Sequence, residues 1–203
     1  MSNSSSTSDS TVAQSKTTLR SQLRRKRRSL SAEQQRLAAT SLVNALKPHL
    51  SASKTPRIAM YWAMDGEISL QPLMEYCFEQ RIEVFLPVLH PFKPRLWFAR
   101  YLPGEPLLNN HYGIPEPQTS HRVQPWQLST VLLPLVGFDV NGGRIGMGGG
   151  FYDRTFAQAL SWPHQPKLIG VAHECQKLEI VPLEPWDISL KGIVTDQRYY
   201  RVR

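Results

Sequence analysis

Residues 130–160 read TVLLPLVGFDVNGGRIGMGGGFYDRTFAQAL, and the order of their segments sets the fold class. The apolar, β-branched run at 130–136 is typical of a buried strand. A glycine-rich loop follows, residues 151–160 predict a helix, and KLIGVA at 167–172 predicts another strand. Two strands joined by a helix in this way lie parallel in one sheet, with a right-handed crossover.

An earlier part of the chain repeats this pattern. RIAMYW (57–62) and EVFLPVL (83–89) are predicted strands, and the intervening SLQPLMEYCFEQ (69–80) has apolar residues at helical spacing. RLWFARY (95–101) predicts a further strand, whereas the proline-rich residues 102–129 predict an extended excursion over the surface. The fold class is therefore α/β, a three-layer, mostly parallel twisted sheet with helices on both faces.

The N-terminal part predicts two helices, over about 16–28 and 32–46. Ser31 and Gln34 have the spacing of a capping box at the start of the second helix, and Pro48 follows its end. These helices precede the first predicted strand, so they are expected to pack on the sheet rather than within a crossover.

Length and composition fit one folded domain. The chain has 203 residues, 41% of them hydrophobic, and we predict a single domain over 16–203 after a disordered, Ser/Thr-rich tail over 1–15. It has no apolar run long enough for a membrane span and no secretory signal, so we expect a cytoplasmic protein. Cys77 and Cys175 have no zinc-site spacing and are predicted to be reduced core thiols.

The positive charge is concentrated in one segment. The net charge is +8, and residues 16–36 alone contain eight Lys or Arg against one acid. The rest of the chain is close to neutral. A neutral body with one basic segment fits a small anionic ligand as well as it fits nucleic acid.

The glycine-rich loop is the strongest functional signal. Six of the twelve glycines fall between positions 142 and 150, after a predicted strand and before a predicted helix. Glycines let successive backbone N–H groups point at an anion, and the helix start adds positive potential. Phe151 replaces the third glycine of GxGxxG, and no P-loop lysine follows, so neither common nucleotide fingerprint is present. The alternative is a tight connection that needs glycine only for its turns.

The segment PLVGFDVNGGRIGMGGGFYDR (134–154) resembles the signature of the 5-formyltetrahydrofolate cyclo-ligase family, of the proteobacterial type. The likeness extends from about Lys16 to Thr195 in order and spacing. Its other elements are Lys16-x-x-x-Arg20, the RxxLS turn (27–31), MYWAMDGEISLQPL (60–73), VFLPVL (84–89), YGIPEP (112–117), GVAHECQ (170–176), PWDISL (185–190) and IVT (193–195).

This resemblance implies a fold and an activity. The fold is the cyclo-ligase (NagB/RpiA/CoA transferase-like) fold. The activity is the ATP- and Mg²⁺-dependent conversion of 5-formyltetrahydrofolate, with or without a polyglutamate tail, to 5,10-methenyltetrahydrofolate, ADP and phosphate. The γ-phosphoryl group passes to the formyl oxygen, N10 attacks the activated carbon, and phosphate leaves. No membrane or nucleic-acid partner is expected, and a basic helix on a compact body predicts a monomer.

The resemblance also implies ATP contacts. Lys16 and Arg20, at i and i+4, would share one face of the first helix and grip one phosphate chain. We predict the remaining basic residues of this helix, Arg24, Lys26, Arg27 and Arg28, to form a solvated face. The implied ATP-binding loop comprises Arg144, Ile145, Gly146, Met147, Gly148, Gly149, Gly150, Phe151 and Tyr152.

For the metal and the chemistry, the resemblance implies Asp153 and Asp187 as Mg²⁺ ligands, and Arg144, Tyr152 and Asp153 as catalytic residues. Two carboxylates suffice, because Mg²⁺ completes its octahedron with water and phosphate oxygens. Without the resemblance, Asp153 is equally a favourable partner of a helix dipole, and Asp187 a turn or cap residue. Many relatives carry an acid where this chain has Lys191.

For the folate, the resemblance implies Trp62, Glu67 and the loop residues 147–151. Trp62 would pack on an aromatic ring of the folate, and Glu67 would accept hydrogen bonds from pterin N–H groups. The residues alone leave alternatives open. Trp62 is also a half-buried core aromatic, Glu67 the start of a helix, and Phe151 and Tyr152 are core or site residues. His173 is more often structural than functional, and Glu116 is a weaker candidate.

Two other functions are consistent with the sequence. The basic helix suits an RNA-binding module, although no aromatic residues are interleaved with its arginines and no RNA-binding motif is present. A fold relative that uses the same loop on another substrate is the second alternative, because fold alone does not determine function.

Overall fold

The computed structural model describes residues 6–50 and 56–202, with side chains from Lys16 onward. The described helices are α1 (Ser6–Arg28), α2 (Ala32–Leu46), α3 (Gln71–Glu79) and α4 (Phe151–Phe156). The described strands are β1 (Arg57–Ala59), β2 (Glu83–Leu89), β3 (Leu96–Tyr101), β4 (Leu107–Asn109), β5 (Pro115–Pro117), β6 (Arg122–Val123), β7 (Thr130–Pro134), β8 (Gly137–Phe138), β9 (Arg144–Ile145), β10 (Lys167–Val171), β11 (Gly192–Val194) and β12 (Tyr199–Arg201).

One mixed sheet forms the centre of the described residues, in the strand order β12-β11-β10-β7-β1-β2-β3-β6. The five strands from β11 to β2 run parallel. At the two edges, β12 is antiparallel to β11, β3 is antiparallel to β2, and β6 is antiparallel to β3. The chain leaves β1 towards β2 and leaves β7 in the opposite direction, towards β10. The gap between β1 and β7 is therefore the topological switch point, where ligands bind in open α/β sheets.

Both faces of the sheet are buried, which explains its apolar strands. Along β7, Val131 and Leu133 pack on one face with Phe156 of α4, while Leu132 packs on the other. The second face is covered by α2 and α3, through residues such as Leu42 and Leu73, both fully buried. Successive side chains of a strand point to opposite faces, so each strand serves two cores.

Helix α1 lies across the carboxyl edge of the sheet instead of on a face. Its Leu23 packs with Val136, Ile145 and Val181 in a small separate cluster. The approach is close, since a Cβ at Gly137 would come within 2.5 Å of Leu23 Cδ1. This contact places the polar residues of α1 over the ends of the parallel strands.

Most sequence-based expectations for the fold are confirmed. The mostly parallel α/β sheet, the two βαβ units and the Ser31–Gln34 capping box are all present. Helix α1 begins at Ser6, ahead of the expected start. The disordered tail over 1–15 stays a prediction, because residues 1–5 lie outside the described residues and no side chain before Lys16 is described.

Two expectations differ from the structure. Residues 102–129 were expected to be only an extended excursion, but they form the β4–β5 hairpin and the edge strand β6, since their prolines occupy hairpin and turn positions. Cys77 is buried as expected, whereas Cys175 is exposed and is not a core thiol. It lies in a short 3-10 turn after β10, where its neighbour Gln176 takes the buried position. No described helix has the length and apolarity that a membrane crossing requires.

Candidate active site

A cleft of about 1200 Å³ opens at the carboxyl ends of β1, β2 and β7. It lies at the switch point of the sheet, beside α1, which contributes Lys16, Arg20 and Arg27 to its lining. The predicted site residues that line it are Lys16, Arg20, Trp62, Glu67, Arg144, Ile145, Gly146, Met147, Gly148, Gly149, Gly150, Phe151, Tyr152, Asp153 and Asp187. The fold thus brings every predicted site residue to one cavity, while their individual roles stay predictions.

The glycine-rich loop is anchored by a buried carboxylate that the sequence analysis did not single out. Asp139 is 2% exposed and accepts hydrogen bonds from the backbone N–H groups of Asn141 (2.8 Å), Gly143 (3.0 Å) and Val181 (2.8 Å). The first two bonds close the β8–β9 hairpin that leads into the loop. The third ties the loop to the segment that carries Asp187. The Asp139 side chain therefore supports both the predicted phosphate-binding loop and the segment that carries the predicted metal ligand Asp187.

The loop leaves space for a ligand along its backbone. Gly148 and Gly150 have φ of 95° and 59°, a region that side chains disfavour, so the chain turns there. At Gly146 a Cβ would meet nothing within 4 Å, although the residue lines the cleft. A run of accessible backbone beside open space fits the anion cradle expected for a polyphosphate.

Two cations of α1 make polar contacts at the cleft, and one of them contacts this loop. Arg20 donates from Nε to the carbonyl oxygen of Gly146, at 2.8 Å. Lys16 forms a 3.2 Å ion pair with Glu184, and its side chain is 12% exposed. Both charged groups therefore border the cleft from the same helix face, as the i and i+4 spacing predicts.

The two predicted metal ligands lie on segments that contact each other. Asp153 pairs with Arg144, and the backbone N–H of Ile188 points at the same carboxylate oxygen, at 3.4 Å. Asp187 accepts from the N–H of Glu184 at 2.9 Å. Within the described residues, no hydrogen bond reaches the second oxygen of either carboxylate. Among the described residues, no three His, Cys, Asp or Glu side chains form a metal cage. Two carboxylates at a phosphate cradle fit Mg²⁺, which takes few protein ligands.

At the other end of the cleft, Glu67 is a largely buried carboxyl. Its side chain is 11% exposed, and it accepts from the N–H of Met64 at 3.0 Å. Burial raises the pKa of Glu67 to about 7, against the lowering effect of that hydrogen bond and of Arg27. Burial, and then the Glu67 charge, raise the pKa of Tyr152. Glu67 and Tyr152 thus form a pocket with both polar and aromatic surface beside Trp62. The Trp62 ring packs edge-on against Tyr101, with 5.9 Å between the ring centroids.

The prediction of a solvated basic face on α1 is wrong for Arg27; Arg24 and Arg28 keep 35% and 55% of their side chains exposed, but they are ion-paired as well. Arg27 is fully buried, and Arg24, Arg27 and Arg28 all pair with Asp65. Asp65 is in a turn after β1, with a left-handed φ of 55°. Although burial acts to raise the pKa of Asp65, hydrogen bonds from the three arginines lower it to about 2. Arginines at i, i+3 and i+4 share one helix face, which is the signal in the sequence.

The sequence analysis missed further residues of the cleft. The turn between β4 and β5 brings Tyr112 into the cleft, edge-on to Phe151 at 5.9 Å, and Trp186 lines the cleft beside Asp187. Glu116 has a structural role, because it accepts from the N–H of Leu89 and from Asn110. His173 does as well, since its Nε2 lies 3.1 Å from the Gly66 carbonyl oxygen.

Residues 12–196 match the profile of the 5-formyltetrahydrofolate cyclo-ligase family. The chain belongs to this family. It is 40% identical over 180 residues to the 5-formyltetrahydrofolate cyclo-ligase of Haemophilus influenzae, covering 87% of this chain and 95% of that protein. The cyclo-ligase of Escherichia coli strain K12 is 38% identical over 181 residues, with 88% and 98% covered.

Solved structures agree with this family assignment. The NMR structure of Aquifex aeolicus 5,10-methenyltetrahydrofolate synthetase superimposes with a TM-score of 0.78 at 30% identity, over 93% of each chain. A 5,10-methenyltetrahydrofolate synthetase from Mycoplasma pneumoniae gives 0.71 at 25% identity, over 89% of this chain and 98% of that one. The fold expected from the resemblance is therefore confirmed.

The cluster around Asp65 predicts acid sensitivity. The carboxylate is stabilised in the folded state, so its contribution is complete above its unfolded pKa and is lost as the pH falls towards its folded pKa of about 2. Between about pH 5 and pH 2, the free energy of unfolding of the wild type should fall by about 2 kcal/mol more than that of Asp65→Asn. Urea titrations at several pH values measure this difference. Parallel pH dependences for the two proteins would contradict it.

Proposed function

We propose that this protein is an ATP- and Mg²⁺-dependent 5-formyltetrahydrofolate cyclo-ligase that forms 5,10-methenyltetrahydrofolate. The observation that carries the proposal is the single cleft, which joins a backbone cradle for phosphates to a half-polar aromatic pocket. Family membership supports the same reaction. A cleft with two such ends suits a reaction in which a phosphoryl group passes between two bound molecules, because proximity supplies much of the acceleration.

On the nucleotide side, the chain supplies positive groups from two directions. Lys16 and Arg20 come from α1, and Arg144 comes from β9 at the start of the glycine-rich loop. The loop N–H groups would bind phosphate oxygens, and the three cations would neutralise the charge of the triphosphate. Lys16 is paired with Glu184 in this structure, so a bound triphosphate would compete with Glu184 for that ammonium group.

Asp153 and Asp187 would hold Mg²⁺ through the carboxylate oxygens that carry no intramolecular hydrogen bond. The ion would supply charge neutralisation for phosphate oxygens. Arg144 orients Asp153 by direct pairing, and the Ile188 N–H approaches the same carboxylate. Lys191 is not among the residues that line the cleft, so it has no part in this arrangement.

On the folate side, Trp62, Tyr112 and Phe151 provide aromatic surface, and Glu67 provides the hydrogen-bond acceptor for pterin N–H groups. Residues 147–151 border both ends of the cleft, so one loop would contact the phosphoryl donor and the acceptor. Tyr152, beside Glu67, is a neutral phenol over the ordinary pH range and would orient the substrate through its hydroxyl group.

We also propose a cytoplasmic, monomeric protein. Support for the compartment comes from Cys77 and Cys175, which are both free thiols. The RNA-binding alternative loses support, because Arg24, Arg27 and Arg28 of α1 are engaged by Asp65 within the chain. Analytical ultracentrifugation of the purified protein measures the oligomeric state directly.

The activity is tested by ultraviolet absorbance of purified protein with 5-formyltetrahydrofolate. We expect a product band at longer wavelength than that of the substrate, because ring closure creates a conjugated cationic ring. The band should form only when ATP and Mg²⁺ are both present. Absence of the band, together with hydrolysis of ATP in the presence of another one-carbon folate, would support the alternative substrate instead.

Asp153→Asn should separate chemistry from folate binding. The substitution keeps the shape of the side chain but removes a metal-binding charge, and losing several kcal/mol of charge stabilisation lowers kcat by about 100-fold or more. The dissociation constant for folate, measured by calorimetry without ATP, should change little. Glu33→Gln is the matched control, since Glu33 is an exposed carboxylate that also pairs with an arginine. Unchanged turnover in Asp153→Asn would exclude the metal role.

Gly148→Ala should weaken ATP binding specifically. The residue has a positive φ, and its new Cβ would lie 3.7 Å from the Arg20 guanidinium carbon. Gly104→Ala is the control, because Gly104 also has a positive φ of 78° but has nothing within 4 Å of its would-be Cβ and lies outside the cleft. Both variants should lose about 1 kcal/mol of stability, and only Gly148→Ala should raise KM for ATP. Equal KM values for ATP in the two variants would argue against phosphate binding by the backbone of the glycine-rich loop.

A further inference from the structure

Two carboxylates compete for one buried guanidinium group at the folate end of the cleft. Arg27 Nη2 lies 2.7 Å from Asp65 Oδ2 but 3.6 Å from Glu67 Oε1. Its Nε donates to the Asp65 carbonyl oxygen at 2.8 Å, and its Nη1 to the Leu135 carbonyl oxygen at 3.3 Å. The strong directional contacts of Arg27 therefore go to Asp65 and the backbone, and Glu67 is left beyond hydrogen-bond distance.

The arginines nearest to Glu67 are engaged in the same way. Arg24 donates to Asp65 at 2.7 Å, and Arg28 pairs with the other oxygen of Asp65. Glu67 itself accepts one hydrogen bond, from the Met64 N–H. An opposite charge lowers the pKa of a buried carboxyl most when it is within direct contact. Here the direct contacts of all three cations are made by the neighbouring acid.

We propose that Asp65 is a positioning residue for the folate side of the cleft: by engaging Arg27 at 2.7 Å, it holds that guanidinium group out of hydrogen-bond distance of Glu67. The proposal rests on the proposed function for its consequence, which is pH-dependent folate affinity. The ionised form of Glu67 accepts hydrogen bonds from pterin N–H groups, whereas the protonated form loses acceptor capacity.

The other groups around Glu67 are consistent with this assignment. Arg27 and Arg24 from α1 act to lower its pKa, whereas burial and the Asp65 charge act to raise it, to about 7. Tyr61, after β1, and Tyr152, in α4, both face it as neutral phenols, since burial raises the pKa of each. His173 contacts the Gly66 carbonyl, and burial lowers its pKa, so it adds no charge at neutral pH.

The expected effect of Asp65→Asn has a definite sign. The substitution removes a like charge and frees Arg27 to approach Glu67, so the pKa of Glu67 should fall by about one unit or more. The pH at which folate affinity is half-maximal should move to more acidic values by the same amount. Asp65→Asn also removes a stabilising contact, so folding of the variant is checked first by circular dichroism.

The experiment has two readouts. NMR titration of the glutamate carboxyl carbons follows Glu67 in the folate-free protein, with Glu67→Gln for assignment, and needs no activity. Calorimetry with 5-formyltetrahydrofolate, without ATP, then gives affinity between about pH 5.5 and pH 8.5. We expect a wild-type midpoint near 7 in both, an acid shift in Asp65→Asn, and no shift in the control Glu33→Gln.

A second variant covers the case in which Asp65→Asn does not fold. Arg24→Ala with Arg28→Ala leaves Arg27 as the sole partner of Asp65 and removes a charge that lowers the pKa of Glu67. Its Glu67 midpoint should stay or rise. An acid shift in this double variant, or an unmoved midpoint in folded Asp65→Asn, overturns the proposal. A Glu67 midpoint near 7 without folate binding would leave the positioning role intact and would instead contradict the proposed function.

Discussion

Burial of Arg27 is the constraint on which the arrangement of the cleft depends. A guanidinium group with no exposed surface is costly unless it is paired and hydrogen-bonded; here Asp65 accepts from its Nε and Nη2, and the carbonyl oxygen of Leu135 accepts from its Nη1. Asp65 lies in the turn that follows β1, and Leu135 directly follows the last residue of β7. One side chain of α1 therefore joins the two strands between which the cleft opens, and α1 is held in the position that brings Lys16 and Arg20 to the loop.

A second buried charge, the carboxylate of Asp139, supports the opposite wall of the cleft. Asp139 accepts from amides of the β8–β9 hairpin and from Val181, so one side chain ties the hairpin before the glycine-rich loop to the segment that leads to Asp187. The proposed phosphate and metal groups are thus supported by residues that do not themselves line the cleft. Such support is what a site needs when positions must be held within fractions of an ångström.

The sequence predicted those parts that depend on local patterns. Apolar runs and helical spacing identified the strands and α3, the Ser31–Gln34 spacing identified the start of α2, and the glycines between 142 and 150 identified the cleft loop. Ion pairs between residues that are far apart in the sequence could not be predicted in this way. The basic residues of α1 look like a solvated face because the acid that engages Arg24, Arg27 and Arg28 lies about forty positions away, in a turn. Tyr112 was missed for the same reason, since its place depends on the fold of the β4–β5 hairpin.

The cleft is also assembled from parts that are distant along the chain. Lys16 and Glu184, which meet in one ion pair, are 168 positions apart, and the other walls come from the middle of the sequence. Contacts of this kind raise contact order, which slows folding because long loops must close before the contact forms. Fragments that stop before Trp186 and Asp187 would lack part of the lining of the cavity. Proteolytic nicking or early termination should therefore yield inert pieces, and native binding capacity should appear only when essentially the full polypeptide has folded.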